Sequence, residues 1–299
     1  MRGYNDKKNE QLQKLLGKTQ KKSIYHYTSI DGLKSILKNK SIWLSDISFL
    51  NDESEMKYTL DLINDYLDSV KKYDGEFKDT IKKVISNLKN PENNPVRYSY
   101  YVVSFSLNSD SLPIWIYYTK DINSSGYNIE FDKNKITQII KNYSSNGCLS
   151  GQVIYNKTKQ LNIIRQILNK YFDLYIVAPE AKEWNSEKKM SMLSAVNDLQ
   201  IFSLFFKSSY FKNEEEYRIV VPVMQFGDER LINLDFRTST GMLIPFINIP
   251  FKEKIECVKG IKISPTQKSP LVEKGLKEFI ITQQYKDIDI TKSKIPLRY

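Results

Sequence analysis

The segment SIYHYTSIDGLKSILKNKSIWLSD, residues 23–46, changes its hydrophobic pattern from the alternation of a strand to the spacing of a helix and back. SIYHYT alternates, Ser29 is placed to cap a helix, and Ile30, Leu33, Ile36 and Leu37 fall on one helical face. SIWLSD then returns as a second strand. A strand, a helix and a strand joined without linkers commit this part of the chain to a mixed architecture.

The same periodicities extend in both directions. Residues 1–22 form a basic N-terminal arm or helix with Leu12, Leu15 and Leu16 on one side, placed at the periphery. Asn51 and Asp52 are good caps for a long amphipathic helix carrying Met56, Leu60, Ile63, Leu67 and Val70. YSYYVVSFS and GYNIEFD read as strands from their aromatic and β-branched content. Residues 133–209 read as mostly helical, with Ile164, Ile167 and Leu168 on one segment and Met190, Leu193, Val196 and Leu199 on another. EEEYRIVVPV, GMLIPFINIPF, IECVKGIKIS and KDIDITK supply further strands. Strands in both halves predict one α+β domain over residues 23–299, wrapped around a helical insertion at about 133–209.

Several function classes drop out. The most apolar run, MLIPFINIPF, is cut by Pro245, Asn248 and Pro250, so a membrane span is not expected. The first residues lack the apolar core of a signal peptide, and Cys148 and Cys257 are too few for a disulfide framework; a cytoplasmic protein with reduced thiols is the expectation. A formal charge of +10 suits nucleic-acid contact. Abundant Lys, Asn, Ile and Tyr also arise from an AT-rich coding sequence, and the basic residues are dispersed, as on a solvated surface. One histidine and two scattered cysteines do not make a zinc site, which needs about three or four ligands. No GxxxxGK[ST], GxGxxG or GxSxG motif is present.

Two places carry chemistry. The only histidine, His26, shares a strand face with Thr28. It suits either a binding site or a core position in which Tyr25 and Tyr27 cover one face and His26 donates to a backbone carbonyl. FKNEEEYRIVV puts Glu214, Glu216 and Arg218 on one face of a predicted strand. Such a face needs a cleft if the strand is central, and only solvent if it is an edge.

YHYTSIDGLKSILKNKSIWLSDISFLNDESEM, SFSLNSDSLPIWIYY, GYNIEFD, FKNEEEYRIVV, GMLIPF and SKIPLRY together resemble the bacterial domain-of-unknown-function family 2971, over about Ser23 to Arg298. The family name assigns no activity. The order of a His-bearing strand, a helix, a return strand, a tyrosine after SFS and then EYRIV also resembles the His-Tyr-Glu arrangement of ADP-ribosyltransferases. That resemblance implies a split β-sheet core, NAD as the cosubstrate, and roles for particular residues. His26 would hold the adenosine-side ribose, with Thr28 two residues on. Tyr118, with Trp115, would clamp nicotinamide, and Glu216 would engage the nicotinamide ribose, with Glu214 toward the acceptor. Arg218 or Arg298 would neutralise the pyrophosphate. Tyr27 stands where the superfamily commonly has glycine, Tyr117 competes with Tyr118, and Glu216 is preferred to Glu214 only for its EYRIV context. The expected activity is transfer of ADP-ribose to a macromolecule, or NAD hydrolysis, as in a toxin or antiviral effector. The alternatives are a noncatalytic nucleic-acid- or protein-binding module and a metal-dependent nuclease using Glu214, Glu216 and Asp residues around Mg²⁺.

Overall fold

In the computed structural model the chain is described at residues 2–49, 53–87, 96–118, 126–144, 147–178, 187–226, 229–230, 232–239 and 241–296. The first unit is as the periodicity predicts. β1 (Ser23–Ser29) runs into α2 (Ile30–Asn39), and β2 (Ser41–Asp46) comes next. The Ser29 hydroxyl caps α2 by accepting from the Gly32 N–H, and the helix ends at Lys40 in a left-handed conformation, φ 50°. Ahead of this unit lies α1 (Arg2–Leu16), and behind it come α3 (Glu53–Ser69) and α4 (Gly75–Asn87).

The centre of the molecule is β3 (Val96–Ser106) paired along its whole length with β6 (Glu216–Phe226), from Val96 opposite Phe226 to Ser106 opposite Glu216. Between them in sequence lie α5 (Leu112–Tyr118), β4 (Gly126–Asp132), α6 (Lys133–Tyr143), β5 (Leu149–Gln152), α7 (Lys157–Val177) and α8 (Glu187–Ser203). After β6 come β7 (Glu229–Arg230), β8 (Asp235–Ser239), β9 (Met242–Pro250), β10 (Val258–Ile263), α9 (Pro270–Thr282) and β11 (Asp289–Lys292).

The sheet branches at the second edge of β3. β1 pairs there only through Tyr25 opposite Ser106, and β2 through Ser45 and Asp46 opposite Val102 and Tyr101. From β1 the sheet continues through β4 and β10 to β11, and from β2 through β9 to β8. β5 covers the outer edge of β6, with Leu149 opposite Val220, so β6 is interior.

Strand alternation divides the core. Tyr100, Val102 and Val220 face a helical layer holding Leu12 of α1, Leu60, Ile63 and Leu67 of α3, Phe77 of α4, Ile164 of α7 and Leu199 of α8. Tyr101, Val103, Phe105, Tyr217, Ile219 and Val221 face Leu33 and Leu37 of α2, Ile136 and Ile140 of α6 and Leu276 of α9.

Three expectations need correction. α1 is not peripheral. Leu12 and Leu16 are buried, Lys8 pairs with the buried Asp198, and Asn9 and Gln13 satisfy the backbone N–H and C=O of Ser150 on β5. On α8, Val196 and Leu199 are buried as expected, but Met190 and Leu193 are exposed, and Met192 and Ala195 take the inward face instead. The segment 133–209 is mostly helical, as expected, but as an insertion it is refined, because it also supplies β5 to the sheet. Asn51 and Asp52, expected to act as caps, lie outside the described residues. Among the described residues no helix is long and apolar enough to cross a membrane.

Candidate functional site

β6 has a neighbour on each side, so a solvated edge does not account for its charged residues. It begins at Glu216. Glu214 ends a short 3-10 turn, Ser209–Glu214, and Glu215 reverses the chain at φ 44°. Glu214 and Glu216 therefore do not share a strand face; the turn, invisible to a two-residue period, separates them.

Glu216 is 5% exposed and Arg218 1%. Alternation along β6 puts both on one face, where Arg218 Nε donates to Glu216 Oε1 at 2.7 Å and Nη2 to Oε2 at 2.9 Å. Arg218 Nη1 donates to Leu204 O at 2.9 Å, which ties β6 to the chain leaving α8. Lys207 Nζ lies 2.8 Å from Glu214 Oε2 and 3.7 Å from Glu216 Oε2. The Glu216 backbone N–H donates to Tyr155 Oη at 3.0 Å. Burial alone would raise the Glu216 pKa, but the Arg218 guanidinium, aided by Lys207 and the Ser104 hydroxyl, holds it below the ordinary carboxylate value. The carboxylate is ionised and paired. Burial, with the Glu216 charge adding to it, pushes the Tyr155 phenol far up, so it stays protonated.

His26 lies at the branch. Its Nδ1 is 3.1 Å from Ser104 O. A carbonyl only accepts, so Nδ1 carries the proton and Nε2 presents a lone pair. Burial lowers the imidazole pKa, with the Ser104 carbonyl bond opposing it. The ring meets Phe105 edge-on at 5.8 Å. Because Tyr25, not His26, stands opposite Ser106, the imidazole leaves β1 on the face away from Glu216. His26 and Glu216 thus flank one residue of β3 from opposite faces: Ser104 accepts from His26 through its carbonyl, and its side chain, opposite Arg218, lies on the face of Glu216, where the hydroxyl favours the ionised carboxylate. The backbone-carbonyl bond expected of a core histidine is present; Nε2 remains for another partner.

The other site expectations fare differently. Thr28 turns into α2, where its hydroxyl occupies the space a Cβ on Gly32 would need. It faces no cleft. Trp115 is fully buried; its indole N–H donates to Asp110 Oδ1 at 2.7 Å and its ring meets Tyr27 edge-on at 4.7 Å, so it is not an open clamp. Tyr117 is exposed, and the side chains of Tyr118 and Arg298 lie outside the described residues. Arg218 is enclosed by Glu216 and Leu204 O, which leaves no arm directed at a pyrophosphate.

Residues that the sequence pattern does not single out hold the site together. Ser104 opens the SFS stretch of β3 and differs in no local way from Ser106. Lys207 and Tyr155 carry no local signal, being brought in by α8 and the chain after β5. The loop after β3 is pinned by Tyr27 Oη to Asn108 O, by the Ser111 N–H to Tyr27 Oη, and by Asn108 Nδ2 to Glu215 Oε1, each at 2.9 Å. Asp110 joins it to the end of β11 through Ser293 Oγ at 2.6 Å. Among the described residues no three His, Cys, Asp or Glu side chains group as metal ligands, and Glu214 and Glu216 share one cation, Lys207. The metal-nuclease alternative therefore has no ligand set among those residues.

Branched sheet and buried ionic corner define an α+β protein whose two chemically distinctive residues meet at β3. The model of the family described as protein of unknown function (DUF2971) matches residues 114–219, from α5 to Ile219 on β6, which bears out the resemblance seen in the sequence. That span includes Trp115, Glu214, Glu216 and Arg218. No curated protein and no solved structure matches the chain.

Proposed function

We propose that the protein binds NAD across the branch at β3 and cleaves its nicotinamide–ribose bond, passing ADP-ribose to a macromolecule or to water. The observation that carries this reading is that His26 and Glu216, far apart in sequence, flank Ser104 from the two faces of β3 at the point where the sheet branches. The Nε2 lone pair of a neutral His26 suits a ribose hydroxyl donor. In the reaction the bonding pair of the C1′–N bond leaves with the nicotinamide nitrogen. The acceptor oxygen or nitrogen supplies the new pair to C1′ and releases its proton to solvent. A carboxylate held ionised, as Glu216 is, stabilises the positive charge that develops on the ribose. Since Arg218 occupies both Glu216 oxygens, the reading requires it to yield one of them when the ribose binds. The split-sheet core and the NAD cosubstrate belong to this proposal.

The test measures nicotinamide release from NAD, alone and with cell extract, for wild type, His26→Ala, Glu216→Gln and Glu216→Asp, each checked for folding by circular dichroism. Release that is lost in the folded variants supports the reading; Glu216→Asp matters because it keeps the charge that Arg218 needs while withdrawing it from the ribose. No release and no NAD binding by the folded wild type, with or without extract, rejects it.

A further inference from the structure

The chain from Lys14 to Lys22, which reaches Glu215 through Lys21, reads KLLGKTQKK, with four lysines and no acid. α1 ends within this stretch, and its terminal carbonyl, Leu16 O, accepts from Lys159 Nζ at 2.8 Å. A cation is favoured at that end of a helix. Lys133 Nζ donates to Thr19 O at 2.9 Å, and the Lys133 backbone N–H to Lys22 O at 2.8 Å. Lys21 Nζ reaches Leu107 O at 2.6 Å and lies 3.8 Å from Glu215. Lysines from α1, its connector, α6 and α7 are thus gathered on one path that ends at Glu215. Carbonyl oxygens satisfy the donors of Lys159 and Lys133 without cancelling their charge, while the charge of Lys21 is offset in part by Glu215. Among the described residues Lys14, Lys18 and Lys22 pair with no carboxylate, and all three side chains are exposed.

Like charges held this closely repel, so a fold that gathers them suits an anion with charges along its length. A lipid surface fits poorly, because the apolar side of α1, Leu12 and Leu16, is buried in the core and has nothing to insert. We propose that this lysine strip binds the phosphate backbone of a nucleic-acid strand and lays it beside the Glu214–Glu216 corner. The strand's role as ADP-ribose acceptor rests on the NAD-cleaving reading; its binding does not.

The experiment measures anisotropy of a labelled single-stranded oligonucleotide with the full chain over a salt series, without NAD. Wild type is compared with the double variant Lys18→Glu/Lys22→Glu and with Lys274→Glu/Lys286→Glu, which makes the same charge change at exposed positions in and after α9. The strip variant should lose about tenfold or more in affinity, with the log–log salt slope reduced by about one to two, and the control variant much less. Absence of binding at low salt, equal losses in the two variants, or preferential binding of anionic vesicles or polyglutamate would overturn the proposal. Nicotinamide release is scored separately on the same samples. A strip that binds without NAD cleavage sinks only the NAD reading, and cleavage without strip-dependent binding sinks only the strip.

Discussion

Replacing Arg218 with methionine removes the cation that lets Glu216 stay ionised inside the protein. The structure sets the scale: Arg218 is 1% exposed, makes two bonds to the carboxylate and one to Leu204 O, and leaves Lys207 at 3.7 Å as the remaining cation near Glu216. Breaking a buried pair from one side costs about 3–5 kcal/mol. At about 2–4 °C per kcal/mol for a chain of this size class, the melting temperature should fall on the order of 10 °C. The double change Glu216→Gln/Arg218→Met should recover much of this loss, because no unpaired charge stays buried. The assay is calorimetry or urea unfolding of wild type, both single variants and the double, read as a thermodynamic cycle. The same group predicts a pH dependence. The folded pKa of Glu216 lies below its unfolded value, so the stabilisation is fully present above the unfolded pKa, about 4.3, and disappears as pH falls through the folded one. Arg218→Met should flatten that acid limb. A single variant within about 1 kcal/mol of wild type, with an unchanged acid limb, would refute the claim that Arg218 maintains the buried charge.

Gly32→Ala, which in most helices adds about 1 kcal/mol of stability, should here cost about 1–3 kcal/mol because the new methyl meets the Thr28 hydroxyl; adding Thr28→Ala should restore stability, read by urea unfolding. His26 should stay neutral below the ordinary histidine value in an NMR titration, and stability should decline as pH falls past the unfolded pKa, about 6.5, since the unfolded chain binds that proton first. Cys148 and Cys257 are buried, and burial pushes the Cys257 thiol up to about 12, so a thiol reagent should modify neither at neutral pH until the protein unfolds.

Local pattern made β1, α2 and β2 legible, because a strand's alternation, a helix's stripe and a serine cap are each written within a few residues. β9 and β10 were legible for the same reason, and so was the inward face of α7. No element is read from the sequence at α4, although Phe77, Ile81 and Ile85 share a buried face. Glu214 was misplaced because a left-handed residue at Glu215 interrupts the period without changing the residue types around it. Trp115 was read as a clamp because a sequence does not say toward which neighbour an aromatic ring turns.

The sequence by itself determined the class of fold, the family resemblance, and the two residues most worth testing. It did so through short-range periodicity and residue types uncommon in a strand interior. Which strands meet was decided only in three dimensions, since a backbone hydrogen bond takes any residue as its partner and leaves little trace in composition. Tertiary pairing put β3 between β1 and β6, and set Ser104 between His26 on one face and Glu216 on the other. It also set Arg218 against the carboxylate and tied Lys133 of α6 and Lys159 of α7 to the backbone at the end of α1 and its connector.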